Sequence, residues 1–294
     1  MYVLLLLPAC VLLVIASIAF ASFRKWKVVV GLAVIVLLIN NYCKIVPFRL
    51  WSADEEGSFK VLTYNIRSTD MNFEKNADAM ADAIINEKPL FIFLTEYYGT
   101  SSDILQNRLN HYFAYSDNSR RWGLNEGDAF YSQWKIDSIY HYNLTDNFLS
   151  IYRVQLSEQA DTAVVFCCHL SSNFMCVANN KYKSTKEAYR RRAKETDTLY
   201  YAIQKEYHSV IVMGDMNDIS GSYTLRRIES AGFADAWWKA GCGYGSTFHD
   251  GLLRLRLDHV LFDAERLELK SVKVIGDNEW SDHNAISASF DFMN

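Results

Sequence analysis

The chain opens with two apolar runs. Residues 2–22 (YVLLLLPACVLLVIASIAFAS) contain no charged residue, and residues 28–43 (VVVGLAVIVLLINNYC) form a second, shorter run. Between them lies FRKWK (23–27). At about 1.5 Å per residue the first run spans about 30 Å, the thickness of a bilayer core. Trp26 and Tyr42 stand near the ends of the second run, where interfacial aromatics are favoured. The pattern predicts a membrane anchor over residues 1–46, built as two transmembrane helices. A cleaved signal peptide needs a basic leading region, and Met1-Tyr2 supplies none.

From residue 47 the pattern changes. PFRLWSADEEGS (47–58) reads as a linker, and the domain 59–294 follows. FKVLTYNI (59–66) and PLFIFLTE (89–96) read as buried strands. Between them, Ala77, Met80, Ala81, Ile84 and Ile85 share one face of a helix over 72–88. A helix near 101–110 and a strand near 112–116 come next. DAFYSQWKIDSIYHYNL and FLSIYRVQL alternate as antiparallel strands do, and TAVVFCCHLSSN (162–173) is another buried strand. Residues 185–207 predict a long helix with charged faces, and 209–214 another buried strand. A helix near 222–231 precedes three closing strands, 256–263, 267–275 and 284–292. Strand runs separated by helices argue for an α/β domain with stacked sheets and flanking helices. No glycine-rich phosphate loop follows any strand, which argues against nucleotide-binding folds.

Charge sharpens the division. Residues 1–46 contain no acid and four basic residues, Arg24, Lys25, Lys27 and Lys44. Subtracting those four from the chain's 30 leaves 26 basic residues against 34 acids, a balance of about −8. That balance does not favour nucleic acid as a partner. The basic loop at 24–27 is expected to stay cytoplasmic, which places the domain after residue 47 outside the cytoplasm, at the cell membrane. The expected partner of the apolar segments is the bilayer, and the sequence carries no signature of an obligate protein partner. The six cysteines form no CxxC, which argues against structural zinc. Cys167 and Cys168 are adjacent on a strand and so face opposite ways. An extracytoplasmic location would permit a Cys176–Cys242 disulfide.

The chemistry lies where the buried strands run out. VIVMGDMNDI (210–219) turns from five strand residues into Asp215, Asn217 and Asp218. Carboxylates are costly to bury unless paired or metal-bound. The same handover recurs at Asn65, Glu96, His169, Asp258 and the pair Asp282-His283. Several such ends on separate strands point to one shared rim. Carboxylate and amide oxygens suit Mg²⁺ or Mn²⁺. A hard cation beside a carboxylate or histidine able to activate water favours hydrolysis of a phosphate ester.

VLTYNIR, FLTEYY, HLSSN, GDMND, LRLDHVLF and SDHNA, in this order, resemble the endonuclease/exonuclease/phosphatase (DNase I-like) superfamily. That superfamily includes pancreatic-type DNases, repair endonucleases, neutral sphingomyelinases, inositol-polyphosphate phosphatases and deadenylases. GDAFYSQWKI (127–136), GFADAWW (232–238) and GSTFHD (245–250) match its minor features, and the resemblance spans about residues 59–292. It implies a four-layer α/β/β/α sandwich and a divalent-metal-dependent phosphoesterase acting by in-line attack of water. It implies that Glu96 is the main metal ligand, with Asn65 and Asp282 near the ion. Asp215 is then expected to orient or activate water, and Asn217 to hold a phosphate oxygen or that water. His283, oriented by Asp258, is expected to act on the phosphate or as base, and His169 to stabilise the transition state. Asn173, closing HLSSN, is a candidate substrate contact. Repair enzymes of the family carry Asp two residues after the asparagine, where this chain has Arg67. That departure argues against an abasic-site enzyme and for a single metal ion.

The resemblance leaves the substrate open between a lipid-linked phosphate or phospholipid head group and nucleic acid. A non-catalytic, membrane-anchored binding module of the same fold would have lost a ligand or base, and none is lost here. Singly, each residue has a plainer role: Asn65 could cap a turn, His169 could be a core histidine, and Arg190, Arg191 and Arg192 could be a solvated helix face. His259 should point away from Asp258 if 256–262 is a strand. His249 is a structural or substrate-facing candidate.

Overall fold

In the computed structural model the described residues are 47, 49, 54–68, 73–97, 103–117, 127–142, 150–158, 161–172, 181–276 and 279–293. Both expected membrane segments, Cys176 and Asn173 lie outside them. Among the described residues no helix is long and apolar enough to cross a membrane. The compact unit described below begins at Arg49.

Its first sheet combines β1 (Phe59–Asn65), β2 (Phe91–Thr95), β3 (Phe113–Asp117), β4 (Asp128–Ser132), β13 (Leu267–Ile275) and β14 (Ala285–Phe292), in the order β13-β14-β1-β2-β4-β3. The second combines β5 (Lys135–His141), β6 (Ser150–Glu158), β7 (Asp161–His169), β8 (Ser209–Asp215), β9 (Phe233–Asp235) and β12 (Asp258–Asp263), in the order β5-β6-β7-β8-β12-β9. A separate hairpin pairs β10 (Phe248–Asp250) with β11 (Leu253–Leu255). Within each six-stranded sheet one neighbouring pair is parallel, β1 with β2 and β7 with β8, and the others are antiparallel.

Alternation decides which sheet face each residue serves. Val61, Phe91, Phe93 and Phe130 from the first sheet meet Val154, Val165, Cys167, Ile211, Met213 and Val260 from the second in one core. The neighbouring positions face outward. Leu62, Tyr64, Ile92 and Leu94 pack under Phe73, Ala77, Met80, Ala81 and Ile84 of α1 (Phe73–Asn86) and Leu105 of α2 (Asp103–Arg108). On the other side Val164, Phe166, Cys168, Val210 and Val212 pack under Leu199, Ala202 and Ile203 of α3 (Lys181–Ile203) and Leu225 and Ile228 of α4 (Tyr223–Glu229). A one-turn helix, α5 (Ala236–Ala240), is capped by Asp235, which accepts from the Trp237 and Trp238 amides. Helices thus cover both outer faces of a pair of stacked, mixed sheets, and Cys167 and Cys168 fall in different cores, as adjacent strand residues must.

Two sequence expectations shift in detail. The long helix begins and ends four residues earlier than its charge pattern suggests, at 181–203. The C-terminal part of the expected linker is docked, since Asp54 bridges to Ser271 and the Gly57 amide donates to Ser289 Oγ at 2.8 Å. The Cys242 thiol is free and donates to the Arg49 carbonyl at 3.1 Å.

Phe130 sits fully buried between Phe93, at 5.2 Å centroid separation, and Tyr152, at 5.0 Å. Truncating it to alanine is expected to cost about 3–5 kcal/mol through lost transfer energy and the cavity left behind. Urea unfolding of the variant checks this, and a cost below about 1 kcal/mol would contradict the packing described.

Candidate active site

Strand register assembles the polar rim. In the second sheet β8 lies between β7 and β12, and its last residue, Asp215, pairs with His169 on one side and Asp258 on the other. Three chemically active side chains therefore stand in one row and point into the space between the sheets. Gly214 lets the row close: its φ is +134°, and a Cβ there would lie 1.9 Å from the Cys168 carbonyl oxygen. In the first sheet β1 and β2 run parallel, which sets Asn65 beside Thr95 and delivers Glu96 immediately after it. Glu96 adopts a left-handed φ of +54°, sparsely populated for a side chain of its size. Asp282 and His283 arrive from the loop before β14. That loop is pinned by Ser281 Oγ, which donates to the Asn65 carbonyl at 3.0 Å and accepts from the His283 amide at 3.1 Å.

The side chains converge. Asn65 Nδ2 donates to Glu96 Oε1 at 2.9 Å and to Asp215 Oδ2 at 3.2 Å. Asp215 Oδ1 accepts from the Asn217 amide at 2.8 Å, and Asn217 Nδ2 donates to the Leu170 carbonyl at 2.9 Å. His283 Nδ1 lies 2.7 Å from Asp258 Oδ2, and a carboxylate there fixes the proton on Nδ1. The opposite ring nitrogen, Nε2, lies 3.8 Å from Asp215 Oδ2. His169 Nε2 is 3.9 Å from Asp215 and 4.0 Å from Glu96. Glu96, His169, Asp215, Asn217, Asp282 and His283 line one open cavity of about 430 Å³. Eight of the nine residues anticipated from sequence thus gather in one place, with Asp258 and Asn65 directly behind the lining and Asn173 outside the described residues.

The electrostatics separate the two titratable groups facing each other. Burial pushes Asp215 up, the Asp258 charge pushes it further, and His283 with the Asn217 and Asn65 donors holds it back, leaving it at about 7. Burial alone would depress His283, but the Asp258 and Asp215 carboxylates more than offset that and hold it at about 10. His283 is therefore an imidazolium at neutral pH, while Asp215 is poised to exchange a proton.

Apart from the placing of His249 and the outward turn of His259, several features were not anticipated from sequence. Asp128 at the start of β4 is buried, with Oδ1 4.0 Å from His169 Nδ1. Arg67, noted in sequence only as a departure, lines the cavity and pairs with Asp282 Oδ2 at 2.5 Å. Phe248 packs edge-on against the His283 ring at 5.0 Å, and His249 lines the same cavity. Asp218 turns away, toward Arg192 Nε at 3.2 Å and Thr224 Oγ1 at 2.9 Å. His259 also turns away from Asp258: its Nε2 donates to the Asp218 carbonyl at 3.0 Å, so its Nδ1 accepts from Arg256.

Two groups of side chains could hold a metal ion. Asp215, Asp258 and His283 offer ligand atoms within 4.8 Å of one another. The direct His283–Asp258 hydrogen bond fills that space, so this trio suits proton handling. Glu96, Asp215 and Asp282 present carboxylate oxygens at the cavity wall, with Asn65 behind them donating to Glu96 and Asp215, a set of hard oxygen donors that fits Mg²⁺ or Mn²⁺ better than softer metals. A cation there would favour ionised Asp215. Mg²⁺ binding is thus expected to release protons, more at pH 6 than at pH 8, because burial and Asp258 hold Asp215 well above the usual carboxylate range. Titration in weakly buffered solution measures this, and pH-independent release would contradict the assignment.

The comparisons place this geometry. The model of the Endonuclease/Exonuclease/phosphatase family matches residues 62–283. A comparison with curated protein sequences finds no match. Among solved structures, D. rerio TDP2 complexed with a single-strand DNA product aligns with a TM-score of 0.64 at 17% identity, covering 79% of this chain and 98% of that one. An endonuclease/exonuclease/phosphatase family protein from Leptotrichia buccalis aligns at 0.61 with 19% identity, covering 79% and 99%. The Neisseria 3′ phosphatase NExo, bound to a product DNA hairpin, aligns at 0.57 with 15% identity, covering 80% and 100%. Likeness at these identities is one of fold. The family match, spanning roughly three quarters of the chain, goes further: this protein belongs to the endonuclease/exonuclease/phosphatase family, whose members hydrolyse phosphoric ester bonds.

Proposed function

We propose that the protein is a membrane-anchored, divalent-metal-dependent phosphoesterase with its catalytic domain outside the cytoplasm. The observation that carries the catalytic reading is the meeting of Asp215, His283 and Glu96 at one cavity, with His283 locked by Asp258. Glu96 and Asp282, with Asn65 behind them, would hold Mg²⁺ or Mn²⁺, which when bound polarises a phosphoryl oxygen and neutralises developing charge. Asp215, ionised above about pH 7, takes the proton of the attacking water as the new P–O bond forms and the ester P–O bond breaks. His283 is held too basic to serve as that proton acceptor. Its Nε2–H instead donates to a phosphoryl oxygen, and Asp258 keeps the ring in that orientation. Asn217 fixes the Asp215 carboxylate through its amide, and His169 adds positive potential on the far side of the row when protonated.

The favoured substrate is a lipid-linked phosphate or a phospholipid head group. The cavity is lined by four acidic side chains, Glu96, Asp215, Asp250 and Asp282, against two cations, the Arg67 guanidinium, already paired with Asp282, and the His283 imidazolium, already paired with Asp258. That wall offers little to a polyanionic backbone running past the site. The anchor expected at residues 1–46 would hold the domain at a lipid surface. A nuclease is the second reading, favoured by the DNA products held by the D. rerio and Neisseria structures. The deciding experiment gives the full chain, in phospholipid vesicles with Mg²⁺, a lipid-phosphate series and single- and double-stranded DNA, with His283→Ala as blank. Turnover of lipid phosphates alone supports the first reading. Cleavage of DNA alone replaces it with the second.

A further inference from the structure

Arg192 and Glu195 sit three residues apart on α3, 1% and 2% exposed, beneath the cavity. Buried charges of this kind are costly unless each finds partners. Their partners are the backbone and side chains of two loops. Arg192 donates to the Ser171 carbonyl at 2.6 Å and to Asp218 Oδ2 at 3.2 Å. Glu195 accepts from the Ser171 amide at 2.8 Å and from the Ser171 hydroxyl. Ser171 lies two residues after His169, and Asp218 three after Asp215. The loops are also tied to each other: the Leu170 amide donates to the Asp215 carbonyl at 2.9 Å, and Asn217 Nδ2 to the Leu170 carbonyl.

We infer that Arg192 and Glu195 are positioning residues that set the spacing between His169 and the Asp215–Asn217 pair. One planar guanidinium spans both loops, and one carboxylate fixes the backbone of the first with two bonds. Neither residue lines the cavity. Misplacing a reacting group by about 1 Å costs on the order of 10²-fold in rate. The charge run at 190–192 thus divides: Arg192 is buried, while Arg190 is exposed and Arg191 half-buried.

The inference rests on the catalytic reading above, so the test uses two readouts. In the full chain, Glu195→Ala is expected to lower kcat tenfold or more with KM within twofold, and Glu195→Gln, which keeps an acceptor for the Ser171 amide, to stay within threefold of wild type. Amide hydrogen exchange in the Ala variant should accelerate at 170–171 and 215–218 and remain unchanged in β13 and β14. Unchanged kcat with unchanged exchange would overturn the inference, as would a loss of rate matched by acceleration throughout the protein. Should the wild type hydrolyse no phosphate ester, the catalytic reading fails, and the exchange pattern alone decides whether the two residues fix these loops.

Discussion

Replacing His283 with alanine is expected to lower kcat by about 10²–10⁴-fold, the range lost with a positioned proton donor or acceptor. The imidazolium at about 10 is created by Asp258 at 2.7 Å and Asp215 at 3.8 Å, so the variant removes the one buried cation facing two buried carboxylates. Two further results follow. Asp215, relieved of its neighbouring positive charge, should titrate higher than about 7, moving the acid limb of the pH–rate profile upward. The stability that His283 contributes should also disappear. A histidine raised on folding contributes fully below its unfolded value of about 6.5 and loses that contribution as pH rises through its folded value of about 10. The difference between wild type and variant should therefore be largest below about pH 6.5, shrink steadily as pH rises from there, and vanish above about pH 10. Stopped assays of kcat against pH, with urea unfolding at pH 7 and pH 10, check both. A variant with kcat within threefold of wild type would remove His283 from the mechanism.

The second large effect is expected at Glu96. Glu96→Ala should reduce kcat/KM by three orders of magnitude or more at fixed Mg²⁺, because Lewis-acid stabilisation is worth several kcal/mol and each 1.36 kcal/mol is tenfold. The fold should survive. Alanine keeps the same backbone constraint at φ +54°, and the change relieves repulsion between Glu96 and Asp215, which now share one amide of Asn65. Thermal unfolding should match wild type in EDTA, whereas the upward shift in Tm that Mg²⁺ gives the wild type should vanish. Retention of that shift would place the ion elsewhere, with Asp215, Asp258 and His283 as the alternative ligand set.

The rim was legible in sequence because Asn65, Glu96, His169 and Asp215 each follow an apolar run whose alternation fixes the direction of the last side chain. Parallel pairing of β1 with β2 and of β7 with β8 then brings those ends together. Asp128 escaped because it begins an antiparallel strand, and a carboxylate before an apolar run reads as ordinary loop chemistry. Asp258 also begins an antiparallel strand, and its role came from the resemblance of LRLDHVLF and not from periodicity. The opposite fates of Asn217 and Asp218 depend on a left-handed turn, Asn217 at φ +49°, which no spacing rule encodes. The hairpin of β10 and β11 has strands of three residues, too short for a period-2 signal, yet it carries Phe248 and His249 to the cavity. Sequence left open that one of Arg190, Arg191 and Arg192 pairs with a buried acid but did not single out Arg192, because helical periodicity alone does not distinguish a buried ion pair from an exposed one.

The most direct test of the central claim, metal-dependent phosphoester hydrolysis at this cavity, is the steady-state hydrolysis of bis(p-nitrophenyl) phosphate by the full chain, with Mg²⁺ and then with EDTA, beside Glu96→Ala. The expected result is release of nitrophenol that EDTA abolishes, Mg²⁺ restores, and the variant lacks at every Mg²⁺ concentration. Hydrolysis that persists in EDTA, or that Glu96→Ala retains, would contradict it.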